Sequence, residues 1–228
     1  MSRKFKVYKN PYDDVEIFKK SFVTVKEGLT ILVGCNGYGK TTFLETVKES
    51  LRKNQIPYFS YDNHHEGTNS NMYGSALFEE DYSFLATAMG SSEGEKITMN
   101  ISKFIKNVRE FIDTGRTPKD KFADMFRMGE KEKPVNSNER WILLDAIDSG
   151  YSIDNVLGLK QIFELIEEDA QKMGRELYIL VSANAYEMAN GENCLDAVNN
   201  KYMKFKDYED YKKFVLKSKN EKDQRYDD

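Results

Sequence analysis

Apolar positions along this chain fall into three kinds of pattern. Phe5-Lys6-Val7-Tyr8 and Phe22-Val23-Thr24-Val25 alternate, which predicts half-exposed strands. Leu29-Thr30-Ile31-Leu32-Val33, Trp141-Ile142-Leu143-Leu144 and Leu177-Tyr178-Ile179-Leu180-Val181 are nearly continuous, as in buried parallel strands, and residues 56–61 predict a further strand. Steps of three and four predict helices through Phe43, Leu44, Val47 and Leu51, and through Ile97, Ile101, Phe104, Ile105, Val108 and Ile112. A third helix is expected over about 155–173 (Val156, Leu159, Ile162, Phe163, Ile166), closed by Gly174. Residues 195–205 read as a hairpin turning at Asn199-Asn200. A charged helix follows from about Tyr208, with residues 219–228 expected to fray. Strands alternating with helices define an α/β class. Residues 62–90 are polar and glycine-interrupted, and 114–139 are charged with Pro118 and Pro134. We therefore expect one domain over 1–228, with a small helical lobe and insertion at 64–135 and a C-terminal helix and tail at 206–228. No internal repeat or heptad run is present, so no long coiled coil is encoded.

Composition narrows the classes without choosing one. A length of 228 residues suits a single α/β domain. The formal net charge of −4 provides no global basic field, so any DNA contact needs a local patch. No apolar run approaches the roughly 20 residues of a membrane span, and Met1-Ser2-Arg3-Lys4 leads into no signal-peptide core. Cys35 and Cys194 are far apart and read as reduced thiols, which predicts a cytoplasmic protein.

The chemistry concentrates in Gly34-Cys35-Asn36-Gly37-Tyr38-Gly39-Lys40-Thr41, a G-x-x-x-x-G-K-T pattern lying between a predicted strand and a predicted helix. Its glycines let backbone N–H groups curl round an anion, and the new helix adds its unpaired N–H groups and positive dipole end. In that setting Lys40 serves the β- and γ-phosphates and the Thr41 hydroxyl a Mg²⁺ ion. Asp145, closing the strand at 141–144, is the expected magnesium carboxylate. His64-His65 lacks further ligands spaced nearby and reads as a polar surface loop.

Residues 34–42 resemble the G-x-N-G-x-G-K-[ST]-[ST] loop of ABC-type ATPases, including SMC-like and RecF-like heads, with Asn36 and Gly37 as the distinguishing positions and Thr42 as the last. Ser91-Ser92-Glu93-Gly94-Glu95 is similar to the family's signature loop through Ser92, Gly94 and Glu95, and opens a helix as that loop does. Asp148-Ser149-Gly150-Tyr151-Ser152 resembles the D-loop. The resemblance covers about thirty residues in family order. It implies a three-layer P-loop fold of ABC type, Mg²⁺ and ATP as cofactors, and a homodimer closing on two ATP molecules. In that dimer each signature serine meets the γ-phosphate held by the other copy. A small head without coiled coil resembles the stand-alone forms of bacteria and bacteriophages.

The departures bear on catalysis. The glutamate that follows the magnesium aspartate in the family is Ala146 here. The switch histidine is absent from Ser182-Ala183-Asn184-Ala185, and no Q-loop glutamine stands in place. Gln55 precedes its strand, leaving Asp62 or Asn63 as the nearest substitutes. Asp148 is the first candidate to position water, Glu187 the second, and Asn184 the candidate to meet the γ-phosphate. Tyr8, Tyr12 and Phe18 lie where an aromatic stacks on adenine.

Three functions compete: a slow ABC-type ATPase acting on DNA or a DNA-associated partner, a non-hydrolysing ATP-gated clamp, and a P-loop kinase for a small molecule. Asn200-Lys201-Tyr202-Met203 fails the guanine motif at its last position, against a GTPase.

Overall fold

A computed structural model of the chain describes residues 1–8, 15–62, 93–118, 120, 137–149 and 151–225, with backbone alone over 93–103. The strands are β1 (Ser2–Lys6), β2 (Phe22–Lys26), β3 (Gly28–Leu32), β4 (Tyr58–Asp62), β5 (Glu139–Asp145), β6 (Glu176–Ser182), β7 (Cys194–Asp196) and β8 (Lys201–Met203). The helices are α1 (Lys40–Lys53), α2 (Glu93–Thr114), α3 (Ile153–Lys172), α4 (Tyr186–Ala189) and α5 (Tyr208–Asp223).

Six strands form a sheet in the order β4-β5-β6-β3-β7-β8, parallel except for β8. This is an α/β fold with a mostly parallel sheet flanked by helices. The connection from β3 to β4 steps to one edge, whereas β4 to β5, β5 to β6 and β6 to β7 all step the opposite way. Right-handed crossovers then require α1 on one face and α2, α3 and α4 on the other. The two hydrophobic clusters are divided in that manner. Phe43, Leu44, Val47 and Leu51 of α1 pack with Trp141, Leu143, Tyr178 and Leu180. Val108 and Phe111 of α2, Leu159 and Phe163 of α3 and Met188 of α4 pack with Ile142, Leu144, Ile179 and Val181. Neighbouring residues of β5 and β6 thus enter opposite cores, which is why these strands read as unbroken apolar runs.

The antiparallel β1–β2 hairpin covers α1, with Phe5 edge-on to both Phe43 and Trp141. The carboxyl-terminal half of α2 joins the main core through Phe104, Val108, Phe111 and Ile112. Residues 64–92, 119 and 121–135 of the expected lobe and insertion lie outside the described residues. Gly174 follows α3 at φ 66°, as expected of a helix-closing glycine. The β7–β8 turn spans 197–200, with Asn200 at φ 51° and Asp196 holding Asn199 through its backbone and side-chain N–H groups.

The C-terminal segment corrects one expectation. Residues 219–225 do not fray: α5 continues to Asp223, and Glu221, Lys222 and Arg225 bond to the 34–39 loop. Polar contacts, invisible to hydrophobic periodicity, hold this end.

Candidate functional site

Parallel strands deliver their carboxyl ends to one edge of the sheet, the usual place for a ligand crevice. From β3 rises the glycine loop, from β5 the segment Asp145 to Asp148, and from β6 the segment Ser182 to Ala185. Because β6 lies between β3 and β5, Asn184 emerges between the loop and Asp145.

Two glycines are required by geometry in the loop. Gly34, at φ 137°, sits against the buried Tyr38 ring, where a Cβ would collide. Gly39, at φ 125°, would bring a Cβ to 2.8 Å from Ile17 Cγ2. Gly39 is also the N-cap of α1, which has no side-chain cap and no acidic residue in its first turn. The first N–H groups and the positive end of the dipole are therefore not neutralised by the helix's own side chains.

Lys40 opens α1 and is buried. Its Nζ donates to Gly34 O at 2.6 Å, Cys35 O at 3.2 Å and Asn184 Oδ1 at 3.1 Å, matching the three donors of an ammonium. Burial pushes its pKa down, against the upward pull of Cys35, Asp145 and Asp148. Thr41, Asn36 and Gly37 are exposed and Thr42 is half-buried, its carbonyl accepting from Thr46. Asp145 is partly exposed at the end of β5, in register with Asp62 of β4.

Asp148 is a buried carboxylate with two unlike oxygens. Oδ2 accepts from the backbone N–H groups of Asn184 at 2.7 Å and Ala185 at 2.5 Å, while Oδ1 is buried with no hydrogen-bond partner. Asn184 is consequently held at three points. Its N–H is taken by Asp148, its carbonyl accepts from Tyr211 Oη at 2.8 Å, and its amide oxygen faces Lys40. Ala146 occupies the left-handed region at φ 50°, a conformation costing an L-residue roughly 1–2 kcal/mol. The turn it starts is closed by Ser149 N donating to Ala146 O.

The structure thus brings Lys40, Asp145, Asp148 and Asn184 into one electrostatic neighbourhood beside the glycine loop. Glu187 lies in the first turn of α4, where its carbonyl accepts from Lys160. Gln55 closes the turn after α1. Phe18 is core, edge-on to Phe43, whereas Tyr8 is 68% exposed. Gly94 is the second residue of α2. Ser92, Tyr12, Asn63, His64, His65 and Gly150 lie outside the described residues.

Sequence reasoning missed the contribution of α5. Ser218 Oγ accepts from Cys35 N at 2.9 Å, and Glu221 accepts from Tyr38 Oη at 2.6 Å. Only a seven-residue spacing of Tyr211, Ser218 and Arg225 hinted at a shared face. Among the described residues no three His, Cys, Asp or Glu side chains gather into a metal cluster, and no helix is long and apolar enough to cross a membrane. No protein-family model matches this chain, and none of the curated proteins matches it.

Proposed function

We propose that this chain is a Mg²⁺-dependent, ATP-binding ABC-type ATPase with a three-layer P-loop fold and small helical lobe. It homodimerises on ATP, hydrolyses slowly, and acts in the cytoplasm on DNA or a DNA-associated partner. One observation carries the reading: the uncapped N-terminus of α1 and the buried Lys40 ammonium converge on the glycine loop. That is a concentration of positive charge and free N–H groups suited to a polyphosphate. Lys40 now bonds two loop carbonyls and Asn184, and phosphate oxygens would take their place. Asn184, freed from Lys40, would turn its amide toward the terminal phosphate. Thr41 and Asp145 are hard oxygen donors that fit Mg²⁺ shared with phosphate oxygens and water. The ion, when bound, neutralises charge developing on the transferred phosphoryl group.

Ala146 supports the slow or non-hydrolysing variant of this reading, since a methyl group orients no water. The signature contribution of Ser92 and Gly94 belongs to the partner copy's nucleotide in the proposed dimer. Of the two candidates for stacking on adenine among the described residues, Tyr8 is exposed and Phe18 is core. A small-molecule kinase has no specific feature of the site in its favour.

The deciding experiment is ATP binding and steady-state turnover with Mg²⁺, with and without DNA, using Lys40→Ala as the blank. We expect binding abolished in the blank and slow turnover above it in the parent. Binding without turnover leaves the ATP-gated clamp, and absence of nucleotide binding overturns the reading.

A further inference from the structure

The helix α5 touches both halves of the site from one stripe. Tyr211 and Ser218 lie seven residues apart on one face of α5, about 10 Å along its axis, and Arg225 follows seven residues later, just past the end of the helix. Tyr211 holds the Asn184 carbonyl. Ser218, 1% exposed, accepts from Cys35 N and donates to Val215 O at 2.7 Å. Beyond it, Glu221 takes the Tyr38 hydroxyl, Lys222 reaches Asn36 O at 3.4 Å, and Arg225 donates to Tyr38 O at 3.0 Å with its guanidinium over the Tyr38 ring. These contacts use the Cys35 N–H and the carbonyls of Asn36 and Tyr38. Among the described residues none of them engages an N–H of Gly37, Gly39, Lys40 or Thr41. The helix braces the back of the loop and leaves the anion-facing donors alone.

We propose that α5 is the positioning element of the nucleotide site, with Ser218 and Glu221 fixing the phosphate loop and Tyr211 fixing the Asn184 turn that separates a triphosphate from a diphosphate. The inference rests on the nucleotide-binding reading above. Its two arms differ in what they sense. The loop holds phosphates common to ATP and ADP, so loosening it weakens both ligands. Asn184 faces the Lys40 ammonium, so loosening Asn184 weakens only the ligand that carries a third phosphate.

The test is calorimetric titration of Mg-ADP and of a slowly hydrolysed Mg-ATP analogue into the parent, Ser218→Ala, Glu221→Ala, Glu221→Gln and Tyr211→Phe. Apo melting temperatures are recorded in parallel. Ser218→Ala and Glu221→Ala are expected to weaken both nucleotides about three- to tenfold, the scale of one hydrogen bond. Glu221→Gln, which keeps an acceptor for Tyr38, is expected to restore the parent affinity. Tyr211→Phe is expected to weaken the triphosphate about three- to tenfold and to leave ADP within about twofold. The ratio of the two affinities does not depend on the fraction of protein that is folded. Unchanged affinities, or an equal loss of both ligands in Tyr211→Phe, overturn the inference while the nucleotide reading stands. A parent that binds neither nucleotide overturns that reading first, and this inference with it.

Discussion

Asp148 shows how one side chain can hold structure and chemistry on separate atoms. Its Oδ2 is committed to two backbone N–H groups, its Oδ1 is buried without a hydrogen-bond partner, and its charge acts on the Lys40 ammonium. Asp148→Asn keeps an acceptor for the two N–H groups and replaces the second oxygen with a donor. If that oxygen positions water, turnover falls at least about tenfold, general-base assistance being worth about 10²–10⁴ in rate. Stability should move little, and the paired urea and kinetic measurements separate the two effects. Asp148→Ala strips both N–H groups of their partner and should cost about 1–3 kcal/mol in urea unfolding, the scale of an unsatisfied buried donor. The glycine loop, Lys40 and Asp145 were legible from residue type and spacing alone. The pairing of Asp148 with Asn184 was not, because it joins residues 36 positions apart and depends on β6 lying beside β5.

Elements were legible where burial sets the pattern. β3, β5 and β6 are covered on both faces, so their apolar runs announce them, and α1 and α3 show the three- and four-residue steps of one-sided burial. Where α5 docks, against the glycine loop, was hidden because a buried serine and a glutamate look like surface residues in sequence. The start of α5 is nevertheless well encoded. Asp207 caps it by accepting from Asp210 N at 2.9 Å, while Asp210 reaches back to Lys206 N at 3.2 Å. Asp207→Ala should remove about 1 kcal/mol of stability and lower the melting temperature by about 2–4 °C, read by calorimetry. Tyr211 lies in the first turn after that cap, so this loss should also loosen the Asn184 turn.

For the whole molecule, two cores share one sheet, and the site edge connects them. The loop leads into α1 on one face, and the segments after β5 and β6 lead into α3 and α4 on the other. A ligand bound there stabilises the entire fold through mass action. Mg-ATP at a hundred times its dissociation constant should add about 2.7 kcal/mol, raising the melting temperature by about 5–10 °C in a thermal scan. Lys40→Ala should abolish the rise. Without Mg²⁺ it should shrink.

The chain has a single tryptophan, Trp141, in the middle of this arrangement. Its indole is fully buried, stacks face to face on Tyr178 with ring centroids 4.2 Å apart, lies edge-on to Phe5, and donates to Glu139, which in turn pairs with Arg3 of β1. One chromophore is therefore wired to both the sheet and the β1–β2 hairpin. Its emission should be short in wavelength in the native protein and should redden when the hairpin peels away, even if the sheet survives. The protein thus contains its own optical gauge of how firmly the hairpin seals α1, readable without any label.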